Sequence, residues 1–413
     1  MISMSEQTVS IRTTGKVIQS PCGPIVHGLE DVLVKITSIS DIDGRAGKLW
    51  YRGYRIEDLA ENSTYEEVVY LLLYGKLPNV KELEDLKRRL AANRDLNPAT
   101  IEVVRSLAKA HPMFALEAAV AAEGAFDEDN LKLAEALRAG RYKQEEKDLA
   151  LKIAEKLVAK LPTIVAYHYR FSRGLEPVRP RADLSHSANF LYMFFGKEPD
   201  PLATRAIDLY LILHADHEIP ASTFTALVIG ATLSDLYSVI AGAIGALKGP
   251  LHGGANEAAV KSYLEIGDPA KTKDLVEAAT KPGGPRLMGV GHRVYKAYDP
   301  RAKIFKKLVE DYTAKFGDPQ KLYAIASGIE QAVLSHEYFQ QRKLYPNVDF
   351  WSGIVFYYMG IPYDYFTPLF AMSRVVGWTA HVLEYWENNR LFRPRACYVG
   401  PHDQQYIPLN SRT

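Results

Sequence analysis

Three separated segments of this 413-residue chain carry residues suited to chemistry rather than to folding. The first is Gly249-Pro250-Leu251-His252-Gly253-Gly254-Ala255-Asn256-Glu257. The second is Gly289-Val290-Gly291-His292, with Asp299-Pro300-Arg301 behind it. The third is Asn347-Val348-Asp349-Phe350-Trp351-Ser352-Gly353. Each sets an ionisable residue among glycines, prolines or bulky apolar groups. Two histidines and one carboxylate make a set able to move protons to and from a carbonyl compound.

His252 stands just before Ala255 to Ile266, which reads as a helix ended by Gly267-Asp268-Pro269. Backbone N–H groups and the dipole at that helix start favour nearby negative charge and a neutral imidazole. A neutral ring N–H beside a developing oxyanion acts as an electrophile. His292 follows glycines that let a ligand approach the backbone closely. The segment is not GxGxxG and follows no strand, so it is a poor dinucleotide site. Taken alone, each histidine is equally a loop residue satisfied by backbone. If Asp349 is buried, desolvation raises its pKa and makes it a better base at neutral pH. On spacing alone it equally caps a helix of Ile354 to Tyr358.

Cations are available for an anionic substrate. Pro300 stiffens a turn into a helix that presents Arg301. Arg374 sits amid apolar residues and needs an anion if buried. Arg390, Arg393 and Arg395 form a basic patch, which by itself reads as solvated surface. With Arg301 and Arg374 there are enough guanidinium groups to hold a dicarboxylate by bidentate contacts. His214-Ala215-Asp216-His217-Glu218 puts two histidines three apart, half of a metal site. No Cys or HExxH pattern completes it, so no metal is expected.

Composition limits the alternatives. Hydrophobic residues make up 47% and charged residues 24%, ordinary for a globular protein. A net charge of +1 provides no field for nucleic acid or an anionic membrane. The longest apolar runs, around Tyr70-Leu71-Leu72-Leu73 and Val239 to Leu247, are too short to span a bilayer. A polar N-terminus without an apolar signal core points to the cytoplasm. Cys22 and Cys397 form no CxxC pair, which excludes a structural zinc site. In an ordinary cytosolic protein they are two unrelated thiols, and hyperthermophile proteins are the exception. Few Asn and Gln and many Tyr lean toward a thermophile.

The elements that must position these residues are nearly all helices. Val32 to Ile39 is β-prone and Asp43-Gly44 is a turn signal, which predicts a short hairpin ending near Leu49-Trp50-Tyr51. Ser63-Thr64-Tyr65-Glu66 reads as a capping box. Asp127 to Ala139 and Glu145 to Phe171 read as helices, with Pro162 placed to kink the second. Ile304, Phe305, Leu308, Val309 and Tyr312 form one face of another helix, and Thr367-Pro368 starts the last long one. Strand-forming runs are too few for a parallel sheet, so the fold class is mainly α with a small N-terminal β-hairpin. The glycine-rich and proline-rich borders of the middle block suggest one helical domain, 254–363, inserted in another, 1–253 and 364–413, with a cleft between them.

Together these segments resemble the citrate synthase family, in its shorter prokaryotic type. The likeness runs from Leu49-Trp50-Tyr51-Arg52-Gly53-Tyr54-Arg55-Ile56 through PLHGGANE, GHRVY, DPR and NVDFWSG to Arg393-Pro394-Arg395. The resemblance implies a two-domain, mostly helical homodimer whose small domain closes over the substrates. It implies condensation of acetyl-CoA with oxaloacetate to citrate and CoA, with no metal and no tightly bound cofactor. By motif, Asp349 is the base, His252 holds the thioester oxygen and His292 polarises the ketone. His217, Arg301, Arg374 and Arg393 match oxaloacetate-binding positions, with Arg393 reaching the partner subunit's site. Leu287, Met288 and Gly289 match the stretch that meets the CoA adenine, and Lys296 and Asn347 fall with the CoA contacts. In the family's setting, where terminal arms pack around the dimer, Cys22 and Cys397 become candidates for a disulfide closing a very long loop. Alternatives are 2-methylcitrate synthase, which uses propionyl-CoA, and a metal-dependent hydrolase at His214, Asp216, His217 and Glu218.

Overall fold

The structure is a computed structural model that describes residues 16–412. The chain divides after Ile36 and after Arg390: the terminal segments form one compact unit and Thr37–Arg390 the other.

In the terminal unit, β1 (Val17–Ser20) and β2 (Gly23–Val26) pair antiparallel, with Val17 opposite Val26. Cys22, in the turn between them, is disulfide-bonded to Cys397, 375 residues away, with Cα atoms 5.7 Å apart. The predicted strand at Val32 to Ile39 does not form. Leu33 and Ile36 are 94% and 96% exposed and have no paired neighbour among the described residues. β-propensity reflects packing on a pleated surface, and without a partner strand it specifies nothing.

In the main unit the hairpin turns after Asp43 and ends at Tyr51 as predicted, and only its first strand lies later. β3 (Ser40–Asp43) pairs with β4 (Lys48–Tyr51), Ser40 opposite Tyr51, and β5 (Tyr54–Arg55) extends the sheet. Helices then follow almost without interruption: α1 (Ile56–Asn62), α2 (Tyr65–Tyr74), α3 (Val80–Ala92), α4 (Pro98–Ser106), α5 (Pro112–Phe126), α6 (Glu128–Arg138), α7 (Gln144–Ser172), α8 (His186–Phe195), α9 (Pro201–His214), α10 (Ala221–Gly230), α11 (Leu236–Leu247), α12 (Ala255–Ile266), α13 (Thr272–Ala279), α14 (Pro300–Phe316), α15 (Leu322–Ser335), α16 (Glu337–Arg342), α17 (Val348–Tyr358) and α18 (Phe366–Trp386). None is long and apolar enough to cross a membrane.

Local chemistry explains most boundaries. The capping box of α2 is one residue later than read, with Thr64 on the Glu67 N–H and Glu67 returning to the Thr64 N–H. Asp299 caps α14 with Pro300 in its first turn, and Asn347 caps α17. The last helix starts at Phe366, after a turn of 3-10 helix at Tyr363–Tyr365, so Thr367 is buried inside its first turn rather than capping it. α7 is continuous across Pro162.

α18 is the axis of the core. Nearly all of its residues are buried, and it packs on α7, α9 and α10. Earlier in the chain α17 packs on α12 and α14. A 21-residue helix buried on nearly every side is a core element, and the guanidinium of Arg374 in its middle needs a reason.

Closing a loop of 375 residues restricts the unfolded chain strongly, by about 6 kcal/mol in the chain-entropy account. The Cys397→Ser protein should therefore unfold at lower denaturant concentration than the oxidised parent. Denaturant titration with and without reductant checks this; parent and variant with the same midpoint under oxidising conditions would refute it.

Candidate active site

The three histidines named by motif sit in three helix-to-helix loops. His217 lies between α9 and α10, His252 between α11 and α12, and His292 between α13 and α14. Asp349 and Arg301 lie in the first turns of α17 and α14, and Arg374 in the middle of α18. The rings of His217 and His292 are 5.3 Å apart.

Backbone donors settle how the histidine protons are placed. Nδ1 of His292 accepts from the N–H of Val294 at 3.0 Å and of Tyr295 at 3.2 Å. A nitrogen that accepts cannot carry the proton of a neutral ring, so Nε2 is the donor. His252 is arranged the other way round. Its Nε2 accepts from the Ser222 N–H at 3.2 Å and meets the Ser222 hydroxyl at 2.8 Å. The indole N–H of Trp378 donates to that hydroxyl at 3.2 Å, leaving its hydrogen for the ring. Nδ1 of His252 then carries the proton. Burial, helped by Arg374, pushes His252 down to about 4. Burial and Arg301 push His292 down to about 4 as well, with Asp299 opposing and Lys296 adding. At neutral pH both rings are uncharged donors.

Asp349 is opposite in character. Burial pushes its carboxyl up to about 6, against the pull of Arg301 and Arg374 and with a push from Asp299. Its own N–H is satisfied by the Asn347 side chain at 2.9 Å, so Asn347 and not Asp349 is the cap. The carboxylate is therefore released from capping. The Asn347 side chain also donates to the Gly291 carbonyl at 2.9 Å, and its backbone N–H to the Gly289 carbonyl at 2.9 Å. These bonds tie the Asp349 helix to the His292 loop. Gly289, with φ +75°, is needed there: a Cβ would stand 2.7 Å from the Phe350 Cα.

The cations are held from behind. Asp299 takes Nε and Nη2 of Arg301 at 3.0 and 2.8 Å and does not engage Nη1. Its second oxygen also accepts the Val348 N–H at 3.1 Å, next to Asp349. Nε of Arg374 donates to the His214 carbonyl at 2.6 Å, with the guanidinium over the Phe370 ring. Both guanidinium groups are almost fully buried. Burial, Arg301, His292 and Arg374 hold His217 well below its ordinary value, and its Nε2 lies 3.3 Å from the Tyr295 hydroxyl.

The remaining motif residues are placed as follows. Leu287 is buried, Met288 half-buried, and Lys296 exposed, with its ammonium on the Arg293 carbonyl. Arg393 is exposed in the terminal unit. The His214–Glu218 segment does not gather as a metal site: Asp216 faces Ser40 and His381, and Glu218 accepts from the Ile42 N–H. Among the described residues no group of three His, Cys, Asp or Glu could hold a metal ion. Sequence reasoning gave no role to Ser222, Asp299, Tyr295 or Trp378. Asp299, two residues before Arg301, and Tyr295, three after His292, offered local signals, whereas the His252 partners come from 30 and 126 residues away along the chain.

Fold and site together define a mostly helical enzyme that works on carbonyl compounds. Residues 28–395 match the family model "Citrate synthase, C-terminal domain". The chain is similar to the citrate synthase of Saccharolobus solfataricus, 45% identical over 94% of this chain and 99% of that one. It is also similar to the crystal structure of citrate synthase from Pyrobaculum aerophilum, with TM-score 0.97 and 79% identity over 98% of this chain and 100% of the other. The ternary complex of carboxymethyl coenzyme A and oxaloacetate with the Thermoplasma acidophilum enzyme matches with TM-score 0.85 and 40% identity, over 94% and 99% of the two chains. The chain belongs to the citrate synthase family, whose reaction condenses acetyl-CoA with oxaloacetate to citrate.

An ionised Asp349 is a cost the folded state carries. The penalty is absent below the unfolded value of 3.8 and complete above about 6. Asp349→Asn should therefore raise unfolding free energy by about 1–3 kcal/mol at pH 7 and lose that advantage near pH 4. Denaturant unfolding at the two pH values checks it; a destabilised variant at pH 7 would contradict it.

Proposed function

We propose that Asp349, His252 and His292 divide the condensation between them. Asp349 removes a methyl proton from acetyl-CoA. The Nδ1–H of His252 donates to the thioester oxygen as the enolate forms. The Nε2–H of His292 donates to the oxaloacetate ketone and protonates the alkoxide produced by carbon–carbon bond formation. A thioester methyl is a very weak acid, so a carboxylate with a pKa near 6 cannot deprotonate it unaided. The oxyanion donor must supply several kcal/mol. The observation that carries this reading is the reciprocal placement of the two ring protons, each fixed by backbone donors on the opposite nitrogen.

Arg301, Arg374 and His217 bind the oxaloacetate carboxylates, with Arg393 added from the partner subunit. Leu287, Met288, Gly289, Lys296 and Asn347 contact CoA, where lysine serves a phosphate without bidentate geometry. Residues 254–363 act as a small domain that closes on the rest and excludes water until condensation is complete. The enzyme is a cytoplasmic homodimer. Two apolar surfaces support the dimer: the exposed Leu33 and Ile36, and the half-buried Val228, Ile229, Ala241 and Gly242 on α10 and α11.

A thiol-release assay tests the function: turnover should need oxaloacetate and favour acetyl-CoA over propionyl-CoA. Preference for propionyl-CoA would move the assignment to 2-methylcitrate. Asp349→Ala should lose several orders of magnitude in kcat while binding oxaloacetate normally in calorimetry, and near-parental turnover would sink the base assignment. In the parent enzyme kcat/KM should fall as pH drops through about 6, where Asp349 protonates. A limb near 4 would point to the histidines instead. Sedimentation should give twice the 46.2 kDa chain mass.

A further inference from the structure

The mechanism above leaves one element unused, the β3–β4 hairpin, although it touches both oxaloacetate-facing loops. On its first side it grips the residues flanking His217. The Ser40 hydroxyl donates to the Asp216 carboxylate and accepts the Glu218 N–H at 3.0 Å. The Tyr51 hydroxyl donates to the Asp216 carbonyl at 3.0 Å and accepts the Asp216 N–H at 3.2 Å. The Ile42 N–H donates to the Glu218 carboxylate at 3.1 Å. Five hydrogen bonds thus converge on the two neighbours of a single histidine. They hold Glu218 at φ +56°, a left-handed conformation that a side-chain-bearing residue keeps only under outside support.

On its second side the hairpin turn meets the loop after His292. The Lys296 N–H donates to the Gly44 carbonyl at 2.8 Å. A Cβ on Gly44 would stand 2.2 Å from the Val294 carbonyl oxygen, and one on Gly47 would stand 2.9 Å from that of Tyr298. The backbones approach so closely that only glycine fits. The loop so held carries Tyr295, whose N–H donates to His292 Nδ1 and whose hydroxyl lies against His217 Nε2.

We infer that the β3–β4 hairpin sets the distance and angle between the His217 and His292 rings, with Ser40, Tyr51 and Gly44 as positioning residues for the ketone-binding half of the site. Among the described residues no hydrogen bond joins the hairpin to either ring. It acts through the 216–218 and 294–298 backbones, and a shift of an ångström at such a pair is worth about a hundredfold in rate. The inference rests on the assignment of His217 and His292 to oxaloacetate.

The test compares Gly44→Ala and Ser40→Ala with His217→Ala. Oxaloacetate binding is read by calorimetry, both KM values by steady-state kinetics, and folding by thermal unfolding. Gly44→Ala should weaken oxaloacetate binding and raise its KM by about tenfold. It should leave the acetyl-CoA KM within about twofold, while the clash with the Val294 carbonyl lowers the melting temperature. Ser40→Ala adds no atom, so it carries the same expectation if Gly44→Ala fails to fold. Normal oxaloacetate binding in a folded hairpin variant overturns the inference, as does an equal rise of both KM values accompanied by loss of thermal stability. If His217→Ala binds oxaloacetate normally, the substrate assignment has failed. If His217→Ala loses binding while the hairpin variants keep it, only the positioning role has failed.

Discussion

Two guanidinium groups buried in a helical core are the constraint on which the rest of the site depends. Arg301 and Arg374 are 3% and 2% exposed. Burying a cation is costly unless hydrogen bonds and counter-charge surround it. Arg301 has its carboxylate partner in Asp299, while Arg374 has the His214 carbonyl and only the more distant charge of Asp216. Burial first, and then these arginines, push His214, His217, His252 and His292 toward the neutral form.

Asp349 answers to the same balance with the opposite sign. Burial raises its pKa and the arginines lower it, leaving it near 6. A carboxylate close to neutrality has the most basic strength compatible with being ionised at physiological pH. The Asn347 cap matters here, because it satisfies the helix start and spares Asp349 from doing so. An ionised Asp349 at neutral pH is a cost to stability, of the kind functional sites commonly carry.

Helix starts and short loops carry all of this chemistry, and the long helices carry none of it except Arg374. That division follows from what each can offer. A buried helix such as α18 supplies rigidity and no free backbone donors. Loops such as 292–295 and the start of α10 expose N–H groups, and those groups fix the histidine tautomers. In the terminal unit the disulfide does for two short segments what a hydrophobic core does for the helices.

The sequence by itself determined the helical class, most helix limits and the candidate site residues. Caps, prolines and apolar periodicity act within a few residues, and the three motifs are contiguous in the chain. It misplaced the first strand, because β-prone residues at Val32 to Ile39 need a partner that lies elsewhere. It left open whether Asp349 caps its helix, since that turned on whether Asn347 took the cap. Tertiary structure alone decided which nitrogen of each histidine carries the proton, because the deciding donors include Ser222, far from His252 in the chain. It alone showed that Asp299 joins Arg301 to the Asp349 helix and that the hairpin reaches two loops separated by about 75 residues. Local signals follow from short-range sterics and hydrogen bonding. Protonation, charge pairing and ring alignment depend on which distant groups burial brings together, and no local pattern records that.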